Sequence, residues 1–220
     1  MKKLVLLFTL MSLAAGCSHG LLNQVHGSGN RKSDKRQVAA FTAIHTDGAF
    51  DIEVVSQKEF GVEIEADDNI LPLIGTDVTR NVLYIGNRGG YSVSKPIKIT
   101  ITVPNLEAVT ANGAGKIEVS GLKNDSFKIE LNGASDVRVT GDTELLKIQA
   151  NGAGKINTGR LRAGKADVNS NGVTKIDLFA RDQLDVVVSG PSNVTYDGDP
   201  VVNQRVNGPG SVQKKATQGS

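Results

Sequence analysis

The residues able to do chemistry are few and scattered. The chain has three histidines, His19, His26 and His45, and one cysteine, Cys17. His19 and His26 lie in a polar N-terminal stretch, and His45 stands alone beside a glycine-rich phrase. That spacing assembles neither a histidine metal site nor a nucleophile–histidine–acid triad. Asp67-Asp68 with Asp77, or Asp197 with Asp199, could gather around calcium, but their spacing matches no loop with a defined ligand count. A sugar-cleaving protein would need clustered carboxylates in a groove, with aromatic platforms for the rings. Here tryptophan is absent, with three tyrosines and six phenylalanines, and Glu118, Asp136 and Asp177 fall at outward positions with both signs interspersed. The reading is a non-enzymatic protein with no catalytic residue, no metal and no cofactor. A polysaccharide-active enzyme is the remote alternative.

The elements that position these residues come from a repeat. Ala111-Asn112-Gly113-Ala114-Gly115-Lys116-Ile117 returns as Leu131-Asn132-Gly133-Ala134-Ser135-Asp136-Val137. It returns again as Ala150-Asn151-Gly152-Ala153-Gly154-Lys155-Ile156 and as Ser170-Asn171-Gly172-Val173-Thr174-Lys175-Ile176. Fainter copies begin at Ser189 and at Asn207-Gly208. The starts are spaced by roughly 18 to 20 residues, a fixed period that signals stacked units unable to bury a core alone. Within one period Ile117 and Val119 point inward between Lys116 and Glu118. After a break at Gly121, Phe127, Ile129 and Leu131 alternate in the same way.

Each coil therefore supplies two short strands with one apolar face each. An antiparallel meander would use Asn-Gly as two-residue hairpin turns. A parallel β-helix instead explains why the corner residues match from coil to coil, because each must nest on the one below. The predicted fold is all-β: a parallel β-helix of about 18–20-residue coils, with a looser N-terminal β region acting as a cap. Asn112, Asn132, Asn151 and Asn171 should stack as a ladder of side-chain amides, with Gly113, Gly133, Gly152 and Gly172 allowing close backbone approach. Asn207 and Gly208 are placed in the same ladder. A ligand-binding edge is the alternative reading of that column.

The ends set the domain boundaries. Residues 1–16 read as a signal peptide: basic Lys2 and Lys3, an apolar stretch from Leu4 to Leu13, and small Ala14-Ala15-Gly16 before Cys17. The run Leu13-Ala14-Ala15-Gly16-Cys17 resembles the bacterial lipoprotein signal, with Ala14 where leucine is usual. That resemblance implies Cys17 as the acylated first residue of the mature chain, carrying fatty acyl groups such as palmitate. Two or more buried acyl chains hold a protein stably on a bilayer. By the same resemblance Ser18, where aspartate would favour inner-membrane retention, implies the outer membrane. Residues 17–37, with the basic run Arg31-Lys32-Ser33-Asp34-Lys35-Arg36, read as a flexible tether; weak adhesion to anionic lipid is the sharper alternative. The β-helical domain is assigned to 38–213 and a disordered polar tail to 214–220, with Gly208-Pro209-Gly210 and the tail closing the column without a strand.

Charge removes one class of partner. Losing Lys2 and Lys3 with the signal brings the 25 basic residues level with the 23 acidic ones. A mature domain without net charge offers no global field for nucleic acid.

The phrase following Phe41, the strand Ile97 to Pro104 ending in Val-Pro, the Asn/Ser-Gly-Ala-Gly repeats and Tyr196-Asp197-Gly198-Asp199-Pro200 resemble the GIN-domain family of autotransporter-adhesin heads. The resemblance covers about Val38 to Val212. It implies an exported β-helical protein, often a lipoprotein, presented for adhesion or envelope structure, with a cell-surface protein or glycan as partner. A periplasm-facing scaffold or ligand-binding lipoprotein is the alternative. Fold likeness alone names no ligand.

Overall fold

The computed structural model describes residues 24–216; the signal peptide, Cys17 and His19 lie outside the described residues. Seventeen strands follow in order: β1 (Val25–His26), β2 (Arg31–Arg36), β3 (Ala43–Asp47), β4 (Ala49–Ser56), β5 (Gly61–Asp67), β6 (Ile74–Thr79), β7 (Val82–Asn87), β8 (Tyr91–Ser92), β9 (Ile97–Val103), β10 (Ala108–Ala111), β11 (Ala114–Leu131), β12 (Ala134–Ala150), β13 (Ala153–Ser170), β14 (Val173–Val188), β15 (Asn193–Asp197), β16 (Val201–Val206) and β17 (Ser211–Lys214). Together they form a β-solenoid of about five turns with parallel stacked coils.

Alternation in the sequence becomes alternation across the wall. In β11, Ile117, Val119, Leu122, Phe127, Ile129 and Leu131 are buried while Lys116, Glu118 and Lys123 face out. The phase slips at Ser120-Gly121, where Gly121 takes a φ of 69° and the pairing with β12 shifts between Val119 and Leu122. That bend sends the two halves of each long strand into different walls. The first half pairs β11 with β4, and the last residues pair β11 with β10.

One wall runs β2-β5-β9-β4 and then through the first halves of β11 to β14 to β15 and β17. Its inner row reads Ile64, Ile99, Ile52, Ile117, Val137, Ile156, Ile176 and Val194 in register. The second wall runs β6-β7-β3-β10 and on through the later halves to β16, with Leu83, Ile44, Val109, Ile129, Ile148, Val168 and Val186 as its inner row. Like side chains meet at the inter-strand spacing of about 4.8 Å, so both rows pack as continuous apolar seams.

The cap is less regular. β5 runs antiparallel to β9, β6 antiparallel to β7, and a single 3-10 turn at Leu71–Leu73 joins β5 to β6. Buried Ile70, Leu71 and Ile74 on this excursion cover the end of the core.

Two boundary expectations need correction. The stretch assigned to a flexible tether is folded from Gln24 onward: β1 pairs with β8, and β2 lies antiparallel along β5 from Arg31↔Asp67 to Arg36↔Val62. The Arg31 guanidinium donates to the Glu65 carboxylate at 3.1 Å and to the carbonyls of Glu65 and Pro96. Arg36 donates to the Leu71 carbonyl, and Lys32 pairs with Asp68 at 3.5 Å. Ser28 and Asn69 clasp the preceding loop, Ser28 N–H donating to Asn69 Oδ1 and Asn69 Nδ2 to the His26 carbonyl. With no apolar alternation to signal a strand, this segment folds because the β5 edge needs backbone partners and Arg31, Lys32 and Arg36 each meet an acid or carbonyl. Its charges also blunt the outer edge against further pairing. At the other end β17 pairs with β15 through Lys214, so the column closes on a strand and not on a strandless tail. Lys214 is held there by an ion pair with Asp199.

Candidate functional site

Two features of the described surface organise polar side chains over long distances: the Asn-Gly corner and the outer face of the first wall.

At the corner, Asn132 Nδ2 donates to Asn112 Oδ1 at 3.0 Å, Asn151 to Asn132 at 3.0 Å, and Asn171 to Asn151 at 3.2 Å. The chain of amides has one polarity, each donating toward the N-terminal cap. It ends on His45, whose Nε2 lies 2.9 Å from Asn112 Nδ2. Because Asn112 Oδ1 is taken by Asn132, its amide nitrogen faces the ring. His45 Nε2 is therefore the acceptor, in the tautomer that carries its proton on Nδ1. The Tyr84 ring packs 5.0 Å from the imidazole. Asn207 does not join the ladder: the intervening coil carries Ser189, and among the described residues neither side chain bonds to Asn171.

The glycines beside the asparagines are set by contact. A Cβ on Gly113, Gly133, Gly152 or Gly172 would fall on backbone carbonyl oxygens of the coil below. Gly208 sits over Ser189, where its Cβ would lie 2.8 Å from the Ser189 carbonyl oxygen. Where the ladder stops, a buried hydroxyl cluster takes over beneath the corner. Ser170 Oγ lies 2.8 Å from both Thr174 Oγ1 and Ser192 Oγ, and Ser192 Oγ donates to the Gly172 carbonyl at 2.9 Å. Every hydroxyl in it is satisfied, as buried polar groups require.

The outer face of the first wall carries two rows of charge. One row crosses β5, β9, β4, β11, β12 and β13 as Glu65, Lys98, Asp51, Lys116, Asp136 and Lys155, in direct register. The parallel row reads Glu63, Thr100, Glu53, Glu118, Arg138 and Asn157. Four hollows open along this face. One of about 460 Å³ lies beside half-exposed Phe60, the next of about 420 Å³ holds Asp51 and Lys98, another of about 410 Å³ holds Asp136 and Lys155, and one of about 310 Å³ reaches Tyr196. Neighbours share walls: Glu63 and Thr100 between the first two, Lys116 and Glu118 between the next, Asn157 and Asp177 between the last. The hollows thus form one polar furrow along the solenoid axis.

The acids considered for calcium are separated. Asp67 is buried and accepts the Gly29 N–H at 3.1 Å. Asp68 accepts the Ser28 hydroxyl at 2.6 Å, which with Lys32 holds its carboxyl below the usual range. Asp77 pairs with Arg88 at 3.2 Å. Asp197 accepts the Gly198 N–H at 2.8 Å, and the Lys214 hydrogen bond depresses Asp199. Among the described residues no group of three or more His, Cys, Asp or Glu is arranged to hold a metal ion. His26 instead faces the Ser92 hydroxyl at 3.0 Å.

Sequence reasoning missed the role of His45 and the charge rows. The rows become legible once the phrases are aligned on Asn-Gly: the fourth residue after each asparagine is Lys116, Asp136, Lys155 and Lys175.

A stack of parallel coils with a nested small-residue corner and a polar outer face is the architecture of a β-solenoid. The chain belongs to the family described as "Putative auto-transporter adhesin, head GIN domain", which matches residues 40–200. A Bacteroides fragilis protein described as a "putative adhesin" has the same fold, with a TM-score of 0.72 at 24% identity over 87% of this chain and 100% of that one. A Parabacteroides distasonis protein described as a "putative lipid binding protein" aligns with a TM-score of 0.50 at 19% identity, over 88% of this chain and all of its own. No curated protein matches the chain in sequence. Family membership points to a surface or envelope-associated protein of the adhesin-head class.

Proposed function

We propose that this protein is a non-enzymatic lipoprotein of the bacterial surface, anchored through acylated Cys17 and presenting its solenoid for adhesion. The observation that carries the reading is the furrowed polar face: an adhesin-head fold with its longest organised surface open along the whole column. The membrane is the first partner, through lipid on Cys17; a cell-surface ligand is the second. The chain between Cys17 and Gln24 is short, reaching roughly 25 Å even if fully extended, so the cap end sits close to the bilayer and the later coils project away. The outer membrane is the proposed address. Basic strand β2 is a weak lipid contact in this arrangement, because Arg31, Lys32 and Arg36 already have acidic or carbonyl partners within the domain and only Lys35 is left for a headgroup.

The test uses whole cells. A protease site inserted after Ser18 should release the domain from intact cells, and Cys17→Ser should shift the protein from the membrane to the soluble fraction. Release only after the outer membrane is permeabilised would make the protein a periplasm-facing scaffold. Continued tight membrane association of the Cys17→Ser protein would sink the lipid anchor.

A further inference from the structure

The two outer walls treat their charges differently. On the second wall the sign does not alternate: the outer row reads Lys128, Lys147, Asp167 and Asp185 in register, with Lys128 in contact with Glu130 and Asp185 accepting from both Gln183 and Asn203, at 2.6 and 2.8 Å. On the first wall Glu65, Lys98, Asp51, Lys116, Asp136 and Lys155 alternate in sign strand after strand, yet none of these neighbours closes to an ion pair with the next. Of the six, among the described residues only Glu65 has a charged partner, the Arg31 guanidinium on the edge strand. All six line the furrow and are half-buried or exposed. The alternation ends where Lys175 follows Lys155.

We propose that the furrow binds a linear glycan carrying alternating positive and negative groups, laid along the solenoid axis with each charged sugar over the opposite charge of one strand. The inference rests on the adhesion reading and names its ligand class. Spacing and polarity select the occupant. Sign reverses every inter-strand step of about 4.8 Å, which is close to the rise of a pyranose chain per sugar. An extended peptide repeats its same-side groups at about 6.8 Å and would drift out of phase within a few strands. A protein partner would also want a desolvated aromatic or apolar centre. The exposed large apolar side chains, such as Phe60, Tyr84, Val173 and Val201, are instead dispersed over cap, corner and column end. From β5 to β15 the furrow crosses seven inter-strand steps, about 34 Å, so many weak exposed contacts act together.

The test compares three defined glycans on the full chain purified in detergent. N-deacetylated hyaluronan, which alternates glucuronate and glucosamine, should bind at least about tenfold more tightly than hyaluronan or chitosan, each of one sign. Lys98→Glu with Lys116→Glu makes the row acidic from Glu65 to Asp136, with Lys155 alone left positive, and should transfer the preference to chitosan. Asp51→Lys with Asp136→Lys should transfer it to hyaluronan. Both variants change outward positions, Asp51 half-buried and the others exposed, and their thermal melts check that they fold. No binding by the folded parent chain, equal binding of all three glycans, or unchanged preference in folded variants would each overturn the proposal. Cell attachment separates the two claims. Attachment that needs the protein but is unchanged by Lys98→Glu/Lys116→Glu overturns the furrow and leaves adhesion standing. Attachment indifferent to loss of the protein sinks adhesion, while the purified chain still decides the furrow. Attachment abolished by proteolysis of the target surface and unaffected by periodate oxidation would identify a protein partner and overturn the glycan.

Discussion

The corner and the furrow lie a few residues apart in every coil, yet they repeat in opposite ways. At the corner identity recurs: asparagine at 112, 132, 151 and 171, with glycine always next. On the furrow only the pattern recurs, outward and polar, while the residue changes from Lys116 to Asp136 to Lys155. The coils serve as an internal alignment in which each position is sampled several times under the same fold. Identity is retained where one coil rests its backbone on another, because there the contacts are atom-specific. Where the side chain faces outward, packing fixes only direction and polarity, which leaves charge free to be set by something outside the fold.

The largest expected effect comes from breaking the corner. Gly133→Ala places a methyl on the carbonyl oxygens of Asn112 and Gly113, which belong to the coil below and cannot move without shifting the stack. Overpacking against side chains costs about 1–3 kcal/mol, and against backbone the upper end or more is expected. Chemical denaturation should show a loss of at least about 3 kcal/mol. Next comes the ladder. Asn132→Ala removes one donated and one accepted bond, at 3.0 Å each, for an expected loss of about 1–2 kcal/mol. Asn207→Ala, outside the ladder, should cost no more than about 0.5 kcal/mol. Equal losses at 132 and 207 would show that the amides bond no more strongly to each other than to water.

The corner was legible in the sequence because its constraint is on residue identity. The apolar seams were legible because Ile117, Ile129 and their counterparts alternate at the period of a strand. The ordering of Arg31–Arg36 was not, since a charged edge strand is held by long-range partners such as Glu65, Asp68 and the Leu71 carbonyl, none of them implied by local composition. His45 was hidden for a related reason. It lies 67 positions from Asn112 and meets it only because β3 takes the place of a coil below β10. The furrow sits between these cases: its outward positions were visible one coil at a time, but the alternation of sign also passes through Lys98 and Glu65, whose place in the row depends on the antiparallel cap.

A smaller effect is expected from acid on the second wall. The Lys128 hydrogen bond, with help from Thr110, holds the Glu130 carboxyl below its ordinary range. A carboxyl depressed in the folded state contributes stability above its unfolded value, about 4.3, and loses it as pH falls through the folded value. The contribution should stay under about 1 kcal/mol, as for partly exposed pairs generally. Lys128→Met should therefore lower stability at pH 7 by less than about 1 kcal/mol and flatten the fall in stability below pH 4. A variant whose acid limb matches the parent would assign that limb to other carboxyls.

The smallest effect sharpens the comparison most. Lys116→Ala sits between Asp51 and Asp136 in register, the position where a cross-strand pair on a sheet contributes roughly 0.2–1 kcal/mol when its charges meet. Here neither carboxylate closes on the lysine, so the stability change should fall within about 0.5 kcal/mol of zero. The same substitution removes one of the three positive centres of the alternating row, Lys98, Lys116 and Lys155, and should weaken binding of N-deacetylated hyaluronan measurably. A large stability loss would mean that the alternating row is a device of the fold, holding parallel strands in register. A binding loss without a stability loss assigns the row to recognition, because the fold then has no use for a charge that it nonetheless orders.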